Sequence, residues 1–224
     1  MDVALERTRS ALHAIAEQVM AGARYRSVGR IGLHVTDSGF ATPPFGPQGR
    51  VLAVDDGWFT ITESESARRI PLTSTLNDLA AAAGTTPGAP DSYPAETSFG
   101  PDEPLTIDES ARLRLTAWQA LGDAALRSVA TELGAQDMLP PTLWPEHFDV
   151  GIRIGALNLG VSLGDSSVAL PYVYVGPDHR PLPDDGFWNA AFGAAKTWDA
   201  VTTTDDAVAF FLAGHARAAA LADR

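Results

Sequence analysis

"LWPEHFDVGIRIGALNLGVSLGD", Leu143 to Asp165, decides how this chain is read. Glu146, His147 and Asp149 crowd ahead of a run in which apolar and non-apolar residues alternate, the period of a half-buried strand. Gly155-Ala156 interrupts that run, and glycine at the first position of a two-residue turn suits type II′. A hairpin closed there sets Ile154 against Leu157, Ile152 against Leu159, Val150 against Val161 and Phe148 against Leu163, all apolar. Its other face pairs Arg153 with Asn158, Gly151 with Gly160, Asp149 with Ser162 and His147 with Gly164. A slip of one residue would exchange the faces, so the pattern fixes the register.

Glycines that face each other weaken a strand pair unless something must approach closely. The bare patch at Gly151 and Gly160 therefore admits either a ligand or an aromatic ring from a neighbouring strand. The next strand, "VALPYVYVG", offers such rings: Tyr172 and Tyr174 share one face, Val173 and Val175 the other. Pro171 puts that strand at an edge or marks its start. The expected polar surface comprises His147, Asp149, Arg153, Asn158, Ser162, Tyr172 and Tyr174. The later segment "FWNAAFGAAKTW", with Trp188, has the form of a flap over it. Glu146 points the other way if the strand is already extended there, so a Glu146–His147 couple is disfavoured. An Asp149–His147 couple at i, i+2 remains open, the carboxylate orienting the imidazole.

Outward from the hairpin, residues 2–24 read as an amphipathic helix with Asp2 as cap and Leu5, Leu12, Ile15 and Val19 along one stripe. In "GRIGLHVTDSG", Ile31, Leu33 and Val35 alternate with Gly32, His34 and Thr36 as in a strand. "ATPPFGPQG" is a loop, and "RVLAVDDGWFTITES" gives two strands joined at Asp55-Asp56-Gly57. "ARRIPL" adds an edge strand. Ser74 opens a short Ala-rich helix that Gly84 stops at C′.

Residues 85–104 are rich in proline and glycine, lack periodicity, and read as a linker. Thr106-x-x-Glu109 is a capping-box pattern before a long helix, in which Leu113, Ala117, Leu121, Ala125 and Val129 step in fours and Gly134 ends the run. Three strands follow, then the loop "GPDHRPLPDDG", the aromatic segment, and a last helix capped near Thr203 or Thr204. The expected fold is α+β: antiparallel sheets with helices packed on one face. Residues 1–224 form a single domain of two similar halves, 1–84 and 105–224, each ordered helix, strands, helix.

A chain of 224 residues buries about 70% of its unfolded surface and needs no staple. It has no cysteine, which removes disulfides, thiol catalysis and Cys-based metal sites and fits a reducing compartment. Its formal charge of −12 repels phosphate backbones and anionic lipid, so neither nucleic acid nor membrane is an expected partner. "MDVALERTRS" lacks a basic region followed by an apolar run, so no signal peptide is expected and a cytoplasmic location is. No H-E-x-x-H and no His pair at i, i+3 or i, i+4 occurs, so no metal is expected. Without a G-x-S-x-G elbow or a glycine-rich phosphate loop, no cofactor is expected either.

The blocks "LWPEHFD" (Leu143–Asp149), "PYVYVGP" (Pro171–Pro177) and "FWNAAFGAA" (Phe187–Ala195) resemble those of an uncharacterised family of soluble actinobacterial proteins. The layout also looks like that of a larger bacterial family known only as a domain of unknown function. The resemblance covers the last third of the chain and implies kinship without chemistry, so no catalytic residue is carried over.

Three functions follow as expectations. The first is a small-ligand-binding protein using the glycine-floored face, with Arg153, Asn158, Ser162, Tyr172, Tyr174 and Trp188 around the ligand. The second is a hydrolase or isomerase with His147 as general base, Asp149 orienting it and Arg153 holding an anion. The third is a self-association module, a homodimer through the exposed sheet.

Overall fold

The computed structural model describes residues 2–64, 66–135, 139–179 and 181–222. In chain order, α1 (Val3–Ala14), a π-helical stretch (Ile15–Ala21) and α2 (Gly22–Val28) run together. Next come β1 (His34–Thr36), β2 (Gly39–Ala41), β3 (Val51–Asp55), β4 (Trp58–Glu63), β5 (Ser66–Pro71) and α3 (Leu76–Ala82). The long α4 (Glu109–Glu132) then leads to β6 (Thr142–Trp144), β7 (Asp149–Ile154), β8 (Leu157–Ser162), β9 (Tyr172–Pro177), β10 (Ala194–Thr197) and α5 (Thr204–Ala222). Two five-stranded antiparallel sheets result, ordered β1-β2-β3-β4-β5 and β10-β9-β8-β7-β6. The fold is α+β, and the order helix, five strands, helix occurs twice along the chain. The chain forms two compact units, one reaching Ala117 and including Leu143–Phe148, the other holding Trp118–Thr142 and the chain from Asp149 onward. No helix among the described residues is long and apolar enough to cross a membrane.

In the first unit, Asp2 caps α1 by accepting the N–H groups of Ala4 at 3.1 Å and Leu5 at 3.4 Å. Leu5, Leu12, Ile15 and Val19 are buried, as their stripe requires. The i→i+5 bonding of the π stretch inserts an extra residue into the turn, and the whole of Ile15–Ala21 is buried, Glu17 and Gln18 included. β3 and β4 meet at Asp56-Gly57 with φ of 46° and 79°, the two left-handed residues that a type I′ turn needs. Thr75, one residue beyond Ser74, caps α3 through a capping box with Asp78. Gly84 at φ 66° ends it, its own N–H donating to the Ala81 carbonyl and that of Thr85 to Ala80.

Residues 85–104 do more than connect. The N–H of Gly88 donates to the Gln18 carbonyl at 2.9 Å, and those of Glu96 and Thr97 reach the Glu17 carboxyl, each at 2.9 Å. The long helix begins two residues later than a capping box from Thr106 would place it. Asp108 is its cap, accepting from the N–H of Ala111 at 2.9 Å, while the Thr8 hydroxyl oxygen accepts the N–H of Asp108. Arg112, 1% exposed, is kept by a two-pronged pair to Glu109 at 2.7 and 2.6 Å, the arrangement a buried guanidinium requires.

In the second unit the β7–β8 ladder runs Asp149↔Ser162, Gly151↔Gly160, Arg153↔Asn158 and Ile154↔Leu157, the register that alternation dictates. Gly155 takes φ 58° and Ala156 no positive φ, consistent with type II′. Val150, Leu159, Val161, Val173 and Val175 are fully buried on one face. Helices press on that face through glycine: a Cβ on Gly122 of α4 would overlap Val161, and one on Gly214 of α5 would lie 2.7 Å from Val175. α4 closes at Gly134, φ 68°, where the N–H of Ala135 returns to the Ala130 carbonyl and that of Gly134 to Thr131.

Candidate functional site

The expected polar face divides into a closed end and an open end. At the closed end Asp149 is 8% exposed, Ser162 2% and Tyr172 4%, so this is no solvated sheet surface. β9 pairs with β8 through Gly160↔Tyr174 and Ser162↔Tyr172. The ring of Tyr174 fills the space above Gly160, where a Cβ would overlap its phenol carbons and oxygen. Its hydroxyl donates to Asp149 in a short hydrogen bond, and the Tyr172 hydroxyl donates to Asp165 at 2.5 Å. Phe192, from the segment expected to act as a flap, lies 5.9 Å from the Tyr172 ring and 6.2 Å from that of Tyr174. Burial pushes both phenols well above their ordinary range, and the facing carboxyl groups add to the shift. Both tyrosines therefore stay protonated donors at neutral pH. The hollow at Gly160 is filled from within, by a ring held to a buried acid.

This filling has a testable signature. Gly160→Ala should cost about 1–3 kcal/mol, because its methyl group and the Tyr174 ring compete for one space. In a Tyr174→Ala background the same substitution should cost almost nothing, since the ring is gone. Urea unfolding of the four proteins in the cycle measures this coupling; additive effects would refute the packing.

At the open end Arg153 and Asn158 are exposed. Arg153 donates through Nη1 to Asn158 at 3.2 Å and to Asp178 at 3.3 Å, and through Nη2 to the second Asp178 oxygen. That pair holds the guanidinium pKa above its usual value. Trp188 is half-buried, packed edge-on against Phe187 at 4.9 Å, its buried indole N–H having no hydrogen-bond partner among the described residues. Phe187 in turn lies 5.5 Å from Phe210 of α5 and carries Arg217 4.8 Å over its face. The contacts of Trp188 thus run toward α5, whereas Phe192 is the ring that reaches the tyrosines.

His147 does not sit in the ladder. β7 begins at Asp149, and residues 145–148 form a turn in which the Phe148 N–H donates to the Trp144 carbonyl at 2.7 Å. Phe148 takes φ 52°, so the pairings of His147 with Gly164 and Phe148 with Leu163 fall outside the strands. Pro145 and a left-handed residue bend the chain where alternation continues on paper. His147 is exposed on this turn. Phe148 is 2% exposed in the first unit, stacked on His13 at 5.1 Å and edge-on to Phe40 at 5.4 Å. His13 Nε2 lies 2.7 Å from the Pro145 carbonyl oxygen, which only accepts, so Nε2 carries the proton. Burial lowers the pKa of His13 below its ordinary value, against opposing pulls from that carbonyl, Glu17 and Glu96.

A feature that sequence reading did not assemble lies beside Arg153. A cavity of about 300 Å³ opens between the end of α4 and β7. Its walls are aliphatic, with Ala130, Leu139, Pro140, Ile152 and Ile154, and Arg127 and Arg153 supply its cations. Arg127 is oriented by Asp123 through Nε at 2.7 Å and Nη2 at 3.2 Å. At that end of α4 the carbonyls of Val129, Ala130 and Thr131 accept the N–H groups of Leu133, Ala135 and Gly134. Among the described residues no group of three or more His, Asp or Glu side chains is placed to hold a metal ion. No family model matches this chain, and comparison with curated proteins and with solved structures gave no match.

Proposed function

We propose that this chain is a small-ligand-binding protein whose ligand is a compact aliphatic acid, taken by the cavity beside Arg153 and Arg127. One observation carries the reading: an aliphatic-walled cavity of about 300 Å³, the lower end of ligand-site volumes, with two guanidiniums and no carboxyl group among the described residues that line it. An aliphatic chain would displace water from Leu139, Ile152 and Ile154 while its carboxylate met a guanidinium already oriented by a partner. The polar face supports binding over catalysis. Asp149 is committed to Tyr174, and His147 stands exposed on a turn. Kinship with the actinobacterial family bearing the LWPEHFD block, and a cytoplasmic setting for a cysteine-free chain, belong to the same proposal.

Thermal shift and calorimetry with octanoate, octanol and octylamine provide the test. Octanoate at 100 times its dissociation constant should add about 2.7 kcal/mol of stability. Octylamine should add none. The exposed pair Arg127→Met and Arg153→Met should together weaken octanoate binding by at least about tenfold. Equal responses to the acid and the amine, or full affinity in the double variant, would refute this function.

A further inference from the structure

The first unit holds a second cavity, of about 440 Å³, at the end of α2. Among the described residues, Arg26 and Arg50 line it against one carboxyl group, that of Glu63. Those described residues, two cations and one anion, sum to a single positive charge, on a chain whose formal charge is −12. Each guanidinium is fixed by partners of the unit itself. Arg26 donates through Nη2 to the Thr85 hydroxyl at 2.8 Å and the Thr86 carbonyl at 2.6 Å. Arg50 pairs through Nε with Glu63 and donates through Nη1 to the Ala83 carbonyl at 2.7 Å. Nε of Arg26 and Nη2 of Arg50 keep donors that no described residue takes up. Orientation is thus already in place, and a guanidinium held in position loses little freedom when it binds a carboxylate.

The remaining lining sorts by chemistry. Ser27 and Gln48 contribute a hydroxyl and an amide, the groups that fix a ligand's orientation. Phe45 and Pro47 contribute flat apolar surface, and the Arg50 guanidinium lies 6.0 Å from the Phe45 ring, so planar groups already associate on this wall. A planar body with one negative charge matches that set, whereas a dianion leaves charge unmatched.

We propose that this cavity is an anion-selective site for a small aromatic carboxylate, separate from the aliphatic-acid cavity of the second unit and standing without it. The probes are benzoate, benzamide and inorganic phosphate, titrated into the isotope-labelled full chain and followed by amide chemical shifts. Benzoate should shift the amides of Ser27, Gly46 and Gly84 saturably, and benzamide, the same shape without charge, should not. The exposed substitution Gln48→Glu places a second carboxyl group in the lining without removing any hydrogen bond described above, and should weaken benzoate about tenfold. Octanoate binding should be unchanged in that variant, which separates this site from the proposed function. The inference is overturned by benzamide titrating like benzoate, by inorganic phosphate binding these residues more tightly than benzoate, or by Gln48→Glu leaving benzoate affinity intact.

Discussion

Phe148→Ala should destabilise the protein by about 3–5 kcal/mol, the usual range for emptying a buried aromatic site. Its ring is 2% exposed and sandwiched by His13 and Phe40, so its removal leaves a cavity that rigid neighbours refill poorly. The backbone supplies a second, sharper expectation. At φ 52° an L-residue gives up about 1–2 kcal/mol that glycine does not. Phe148→Gly should therefore be at least as stable as Phe148→Ala, reversing the ordinary glycine penalty of about 0.5–1 kcal/mol. Urea midpoints of the two variants rank them directly. A glycine variant clearly below the alanine one would contradict the left-handed turn, and a loss under about 1 kcal/mol in both would contradict the sandwich.

Glu17→Ala should cost about 3 kcal/mol, because one buried carboxyl group accepts from the N–H groups of Glu96 and Thr97 and from the Thr97 hydroxyl. Without it those donors must find water, and the segment 85–104 must lift to reach it. Gln18 also holds this segment, donating to Thr97 at 2.9 Å and to the Phe99 carbonyl at 3.3 Å, so the segment should loosen locally while the helix persists. Glu17→Gln, which keeps one acceptor oxygen, should fall between wild type and alanine. Hydrogen exchange at the Glu96 and Thr97 amides is the direct reading. Protection unchanged in Glu17→Ala would mean that the carboxyl group does not hold the segment.

The central hairpin was legible because three signals agreed: strict alternation, a Gly-led two-residue turn, and glycines opposite one another. Helix ends marked by Gly84 and Gly134 were legible for a similar reason, since a left-handed C′ residue favours glycine. β2, β6 and β10 were not, being three or four residues long, too short for a period to declare itself. The opening trio divided along physical lines. Asp149 entered the strand, while His147 stayed on the turn that Phe148 bends, a left-handed aromatic residue that sequence pattern gives no reason to expect. Of the residues expected around a ligand, Ser162, Tyr172 and Tyr174 came together with Asp149, but under a ring rather than under a pocket. The cavity beside Arg153 was beyond reach, because it joins residues of α4 to β7 across a stretch of chain whose path no local pattern specifies. Glu17 and Gln18 were hidden for a different reason. A π turn rotates polar positions away from where a 3.6-residue period puts them.

Every neighbouring pair of strands in either sheet is also consecutive along the chain. The entropy of closing a loop grows with its length, and four of the closures, after Thr36, Asp55, Glu63 and Ile154, span only a pair of residues. Each meander can therefore zip from its tightest hairpin outward as the chain leaves the ribosome, while the bridge of Leu33 to Leu143 must wait for β6. Contact order within the sheets is low for a β-rich architecture, and the exposure of unpaired edges during synthesis is correspondingly brief.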